Sequence, residues 1–195
     1  MIKRLLSYVL AFGVAATAVY APVTVSAEYK EVDEAIYDNY PQEFTPLDIS
    51  GLANMGFADD VADDSAGGWT DQGEVNDMRN FDRFGEQYFS GVKFNIIDPQ
   101  KNSGKAVITL RGQNKTDIIN KAEIPVGKKG AGVYFLHASA YVQTNIATYT
   151  LVYEDGSTYE QPIRNNIENF NFWGAGSSDV AWAAWTGSNK STTSA

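Results

Sequence analysis

The stretch Tyr149-Thr150-Leu151-Val152-Tyr153-Glu154-Asp155-Gly156-Ser157-Thr158-Tyr159-Glu160-Gln161-Pro162-Ile163 reads as two β-rich runs around a turn. A three-residue loop, Glu154-Asp155-Gly156 with Gly156 in the left-handed region, sets Tyr153 opposite Ser157, Leu151 opposite Tyr159 and Tyr149 opposite Gln161. Ile163 continues that face. The other face carries Thr150, Val152, Thr158 and Glu160 and is mostly polar, as in an antiparallel hairpin with one side buried. A two-residue turn at Asp155-Gly156 would set Leu151 against Glu160 and mix the faces. Register and turn chemistry agree only for the longer loop.

Outward from this hairpin, short runs rich in Val, Ile, Tyr, Phe and Thr recur between clusters of Gly, Asn and Asp. They place strands over 91–97, 105–112, 122–126, 133–142, 148–153, 159–163 and 180–186. No window keeps a helical period over 11 or more residues. Antiparallel strands without helices point to an all-β fold, an antiparallel two-sheet β-sandwich of the jelly-roll kind, with a closed barrel as the alternative.

The chain of 195 residues has no cysteine and one histidine, which removes disulfide scaffolds, thiolate metal sites and cysteine nucleophiles. Its 15 basic and 24 acidic side chains give a net charge of -9, which disfavours nucleic acid as a partner. Residues 1–27 read as a signal peptide: Lys3 and Arg4, an apolar run from Leu5 to Tyr20, then Val25-Ser26-Ala27 as a cleavage site. The competing reading is a retained anchor, but the run is shorter than the roughly 20 residues a spanning helix needs. Cleavage implies a secreted, extracellular protein with no membrane contact afterwards. Residues 28–44 form an acidic lead-in or linker, 45–187 the β-sandwich module, and 188–195 a Ser/Thr-rich tail or truncation point.

The residues limit the available chemistry. His137 is the only imidazole, no G-x-S-x-G turn presents a serine, and a hydrogen-bonded core histidine is the plainer role. Asp59, Asp60, Asp63 and Asp64 supply hard oxygens of the kind Ca2+ takes, although their spacing is not that of an EF-hand. The alternative is a solvated acidic loop. No other cofactor is implied. Two carboxylates about 5 to 9 Å apart would serve glycoside hydrolysis, but nothing singles out such a pair.

Aromatic residues say more. Trp69, Trp173, Trp182 and Trp185 lie in or beside Gly- and Asn-rich segments. Exposed rings there can stack on pyranose faces, while buried ones would plug the ends of a sandwich. In the 67–77 loop, Trp69 offers a flat face and Asp71, Gln72, Asn76 and Asp77 offer hydrogen-bonding groups. These five are the first candidates for carbohydrate binding, with Trp173, Trp182 and Trp185 second. The opposing view has Asp71 and Asn76 bonding loop backbone and Trp69 capping the core.

Pro46-Leu47-Asp48-Ile49-Ser50 through Asn54, Gly67-Gly68-Trp69-Thr70-Asp71-Gln72-Gly73, Asn76-Asp77, Gly91-Val92-Lys93-Phe94, Tyr134-Phe135-Leu136-His137-Ala138 and Pro162-Ile163-Arg164-Asn165 together carry a resemblance. Over about residues 45 to 187 the chain resembles a galactose-binding-like β-sandwich module appended to secreted bacterial glycoside hydrolases. That resemblance implies a jelly roll and a carbohydrate ligand, and it transfers no sugar site residue by residue. Such modules continue with an Asn-Pro-containing segment and a closing strand, so the resemblance also implies that the last strand is missing here. Ser191-Thr192-Thr193-Ser194 opening a linker is the alternative.

The sequence therefore leads to a non-catalytic accessory module that binds a neutral polysaccharide or glycan. A structural or adhesive sandwich without sugar affinity is the first alternative. The second is a small jelly-roll polysaccharide lyase using His137 and Tyr141 on one strand face, which the net charge disfavours.

Overall fold

In the computed structural model, residues 17–22, 43–110, 119–141, 144–174 and 176–192 are described, the first of these by backbone alone. They contain β1 (Thr17–Pro22), β2 (Gly85–Phe89), β3 (Val92–Ile96), β4 (Gly132–His137), β5 (Asn145–Val152), β6 (Thr158–Arg164) and β7 (Ala181–Ala183). Two single-turn 3-10 helices join them, and no α-helix occurs among the described residues. The chain is mostly strand and extended segment, an all-β architecture.

The β5–β6 hairpin has the expected register, with Leu151 opposite Tyr159 and Tyr149 opposite Gln161. Tyr153 N–H donates to Ser157 O at 2.9 Å, and Gly156 takes φ +80°, the conformation that a residue without Cβ adopts without strain. Tyr149, Leu151 and Ile163 are buried, whereas Thr158 and Glu160 on the other face are exposed. Pro162 is tolerated because, among the described residues, β6 has a ladder partner on one side only.

Among the described residues strand pairing is divided among three small sheets, β4-β1-β7, β2-β3 and β5-β6, rather than two continuous ones. The stretches expected as strands at 105–112 and 122–126 form no ladder within their described residues, and 133–142 and 180–186 shorten to β4 and β7. In the first case the backbone pairing stops at a single bridge, Met55 with Val107, and a side chain takes over at Thr109. Asn54 accepts from Thr109 N–H at 2.7 Å and donates to Thr109 O at 2.9 Å, occupying both groups that a neighbouring strand would bond. Conversely, β2 was not foreseen. It forms a hairpin with β3 through Ser90 and Gly91, both at positive φ, the conformation of a two-residue type I′ turn.

Two apolar clusters result. Met55, Phe57, Trp69, Met78, Phe81 and Val107 anchor one, and Ile108, Leu110, Ile124, Tyr149, Leu151 and Ile163 the other. Consecutive residues Val107 and Ile108 enter different clusters, because an extended chain alternates its side chains. β4 does the same, with Leu136 against the first cluster and Val133 and Phe135 against the second.

Within the apolar run near the N-terminus, Thr17–Pro22 lies between β4 and β7 and pairs antiparallel with both. Residues 1–16 and 23–27 of the leader-like segment, 28–42 of the acidic lead-in and 193–195 of the tail lie outside the described residues. Removing residues 1–27 would leave β4 and β7 with unpaired edges, which favours association. A protein of residues 28–195 is therefore expected to elute as oligomers with light scattering to match. A monomer with a cooperative melt would show that another segment covers those edges.

Candidate functional site

The loop from Asp59 to Arg79, which supplied the first sugar-binding candidates, folds as an inward-facing clasp. Trp69 is 6% exposed, lies edge-on to Phe172 at 5.1 Å between ring centres, and directs its indole N–H at Met78 Sδ, 3.2 Å away. Its faces are thus enclosed by the core. This corrects the expectation of an exposed stacking platform: an indole flanked by Phe172 and Met78 removes more apolar surface from water than one left on a loop.

The polar candidates of the same loop also turn inward. Asp77, buried, accepts from Asp59 N–H at 2.7 Å and from Arg79 Nε at 2.7 Å. Arg79 reaches onward to Asp59 O, Asp60 and Glu74, and the Asp77 hydrogen bond holds its guanidinium above its ordinary pKa. Asp71, also buried, accepts from Ser65 N–H at 3.0 Å. Gln72 and Asn76 are half-buried. Asp71 and Asp77 hold backbone in place, because a loop that leaves the ladder must satisfy its N–H groups with side chains. Arg79, which joins the whole clasp, carried no signal as a lone arginine in the sequence.

The calcium quartet is dispersed. Asp59 is buried at 1% exposure and Asp60 points outward to Arg79, while Asp63 and Asp64 are exposed. Among the described residues no group of three or more His, Cys, Asp or Glu converges on a metal-sized site. Asp63, at positive φ, lies in the turn that follows Asp60 and stays exposed.

His137 is the buried, bonded histidine that the plainer role required. Nδ1 lies 2.7 Å from Tyr149 Oη and Nε2 lies 2.9 Å from Glu168 O. A backbone carbonyl only accepts, so Nε2 carries the proton and Nδ1 accepts from the tyrosine. Burial pushes the imidazole pKa down to about 4, against the opposing pull of the Glu168 carbonyl. Tyr141 is 79% exposed at positive φ, beyond the end of β4, and shares no strand face with His137. The base and acid pair needed by a lyase is therefore not assembled.

A different set of aromatics meets solvent. Ser139 Oγ donates to Asn169 Oδ1, and Phe172 N–H donates to Ser139 O at 2.7 Å, which holds the 169–173 segment across the end of β4. Phe170, Phe172, Trp173 and Trp185 then line a groove of about 270 Å³ with Asn171 and Asn189. Trp173 is 43% exposed and stands edge-on to Phe172 at 5.3 Å. Trp185 is half-buried, anchored on Phe81 at 5.0 Å, and a Cβ at Gly187 would collide with its ring at 2.2 Å. Trp182, half-buried at the β7 pairing, does not line this groove.

Two of the three second-choice tryptophans are thus brought together. Phe170, Asn171 and Phe172 were missed, although alternation of Asn and aromatic residues over 169–173 is a signal for them. Among the described residues, no helix is long and apolar enough to cross a membrane. No family model, no curated protein and no solved structure matches this chain.

Proposed function

We propose that the chain is a secreted, non-catalytic carbohydrate-binding module of a glycan-degrading bacterial protein, built as a two-sheet β-sandwich. Its ligand is a neutral glycan seated in the groove of Trp173 and Trp185. The observation that carries the reading is the partly exposed Trp173 ring beside Phe172 and Asn171, over a concave apolar floor. Aromatic faces suit the C–H faces of a pyranose, and the half-buried Asn171 amide beside them suits its hydroxyls. The two apolar layers joined through β4 support the sandwich, and the resemblance at residues 45 to 187 supports the class. A net charge of -9 favours a neutral polymer over a uronate one.

Titration of intrinsic fluorescence against soluble neutral polysaccharides tests the proposal. Trp173→Ala is expected to weaken binding about tenfold or more, as truncated aromatic anchors do, while lowering the melting temperature by only about 2 °C because the ring belongs to neither apolar cluster. Unchanged affinity in the variant would move the site elsewhere. A flat response of the folded parent to every glycan would favour the structural or adhesive alternative.

A further inference from the structure

Cleavage after Ala27 conflicts with the position of β1. Thr17–Pro22 is the middle strand of β4-β1-β7, opposite six residues of β4 and three of β7. Among the described residues, β7 reaches this sheet only through β1. Thr17 stands opposite His137 and Val19 opposite Ala181, and those two partners are 1% and 0% exposed. A middle strand satisfies backbone groups on both of its neighbours, so its removal orphans two edges at once. A discarded leader and a strand in that position are incompatible roles for one segment.

The chain also comes back to the strand that β1 pairs with. Pro22 ends β1 opposite Gly132, and Phe44 lies edge-on at 5.6 Å to Tyr134, the residue that faces Tyr20. Residues 22 and 44 thus both stand at β4, as the two ends of a connection within one domain do.

The sequence holds a second cleavage pattern, on the N-terminal side of the strand. Val14-Ala15-Ala16 sets Val and Ala at the same two positions before the cut as Val25 and Ala27 do. With a cut after Ala16, Lys3 and Arg4 are followed by an apolar run from Leu5 to Gly13, whose length is within the roughly 7 to 15 residues of such cores. The run from Leu5 to Tyr20 that accompanies a cut after Ala27 is 16 residues long. Both cuts fit the pattern of small residues, and the sheet favours the first.

We propose that export processing cuts the Ala16–Thr17 bond, so that the mature protein begins with β1. Hydrolysis there consumes one water and leaves a carboxylate on Ala16 and an amine on Thr17. The catalyst is a leader peptidase that accepts small residues before the cut. The proposal rests on the chain being secreted, and it moves the end of the leader from Ala27 to Ala16.

The experiment is expression of the full chain in a secreting bacterial host, with the N-terminus of the released protein read by sequencing and by intact mass. Thr17 is expected as the first residue. Ala16→Phe should lose that product, because a bulky ring stands where the cut requires a small residue. Ala27→Phe should be cut as the parent is. The released parent should be a monomer with a cooperative melt, in contrast to residues 28–195. Should Ala16→Phe stop export altogether, the N-terminus of the released parent still decides. Glu28 as the first residue of a released, folded protein would overturn the proposal and leave secretion standing. A chain retained uncut by the cells would overturn both. A protein of residues 28–195 that is monomeric and melts at the temperature of the released parent would make β1 dispensable, and the proposal would fall.

Discussion

Trp69→Ala is expected to cost about 3–5 kcal/mol of folding stability, the range for truncating a large aromatic in a packed core. The ring is 6% exposed, meets Phe172 edge-on and bonds Met78, so its removal leaves a cavity between three parts of the chain. For a domain of this size that corresponds to a fall of about 10–15 °C in melting temperature. Trp69→Phe should lose less, because it keeps the aromatic edge contact and gives up only the indole N–H and part of the volume. Urea unfolding of the three proteins gives the comparison. A cost for Trp69→Ala below about 1 kcal/mol, accompanied by lost glycan affinity, would return the ring to the binding surface.

The second large effect is a pH dependence. The His137 pKa is about 4 in the fold, against an ordinary 6.5, because burial disfavours the charged ring. Above pH 6.5 the imidazole is neutral in both states and its contribution is complete. Between 6.5 and 4 the unfolded chain takes up a proton that the folded one refuses, so stability falls as the pH falls, by on the order of 3 kcal/mol in all. Below 4 both states are protonated and this slope ends. Glu168 adds a loss of its own at lower pH. Burial pushes its carboxyl up, but the Arg164 side-chain and backbone bonds outweigh this and hold it below the usual carboxylate value. Its stabilisation is complete above 4.5, so the window from about 5 to 6.5 reports the histidine. Chemical unfolding across that window should show a slope in the parent that His137→Gln removes. Equal slopes in both would mean that the histidine titrates normally and that the Tyr149 and Glu168 bonds are not maintained in solution.

Local chemistry made part of this protein legible. The β5–β6 register followed from residues within a few positions of Gly156, where turn conformation and alternation of faces both act at short range. Burial of His137 followed from its place in an apolar run. The 105–110 segment was legible as buried but not as lacking a ladder, because its partner is an amide 55 residues away at Asn54. β2 escaped notice because Glu86 and Gln87 dilute its apolar pattern.

The candidate site divides along the same line. Composition and spacing identified Trp69, Asp71, Gln72, Asn76 and Asp77 as a loop rich in rings and polar groups, but the direction a loop side chain takes depends on what packs against it. Phe172 and Met78 enclose Trp69, and Arg79 gathers Asp77, Asp60 and Glu74. By itself the sequence determined an all-β chain, its hairpin register, its acidity and the absence of cysteine chemistry, since these depend on neighbours in the chain or on counting. Only the tertiary structure decided which tryptophan faces water and which aspartates are buried, because exposure is a property of contacts between residues far apart in sequence.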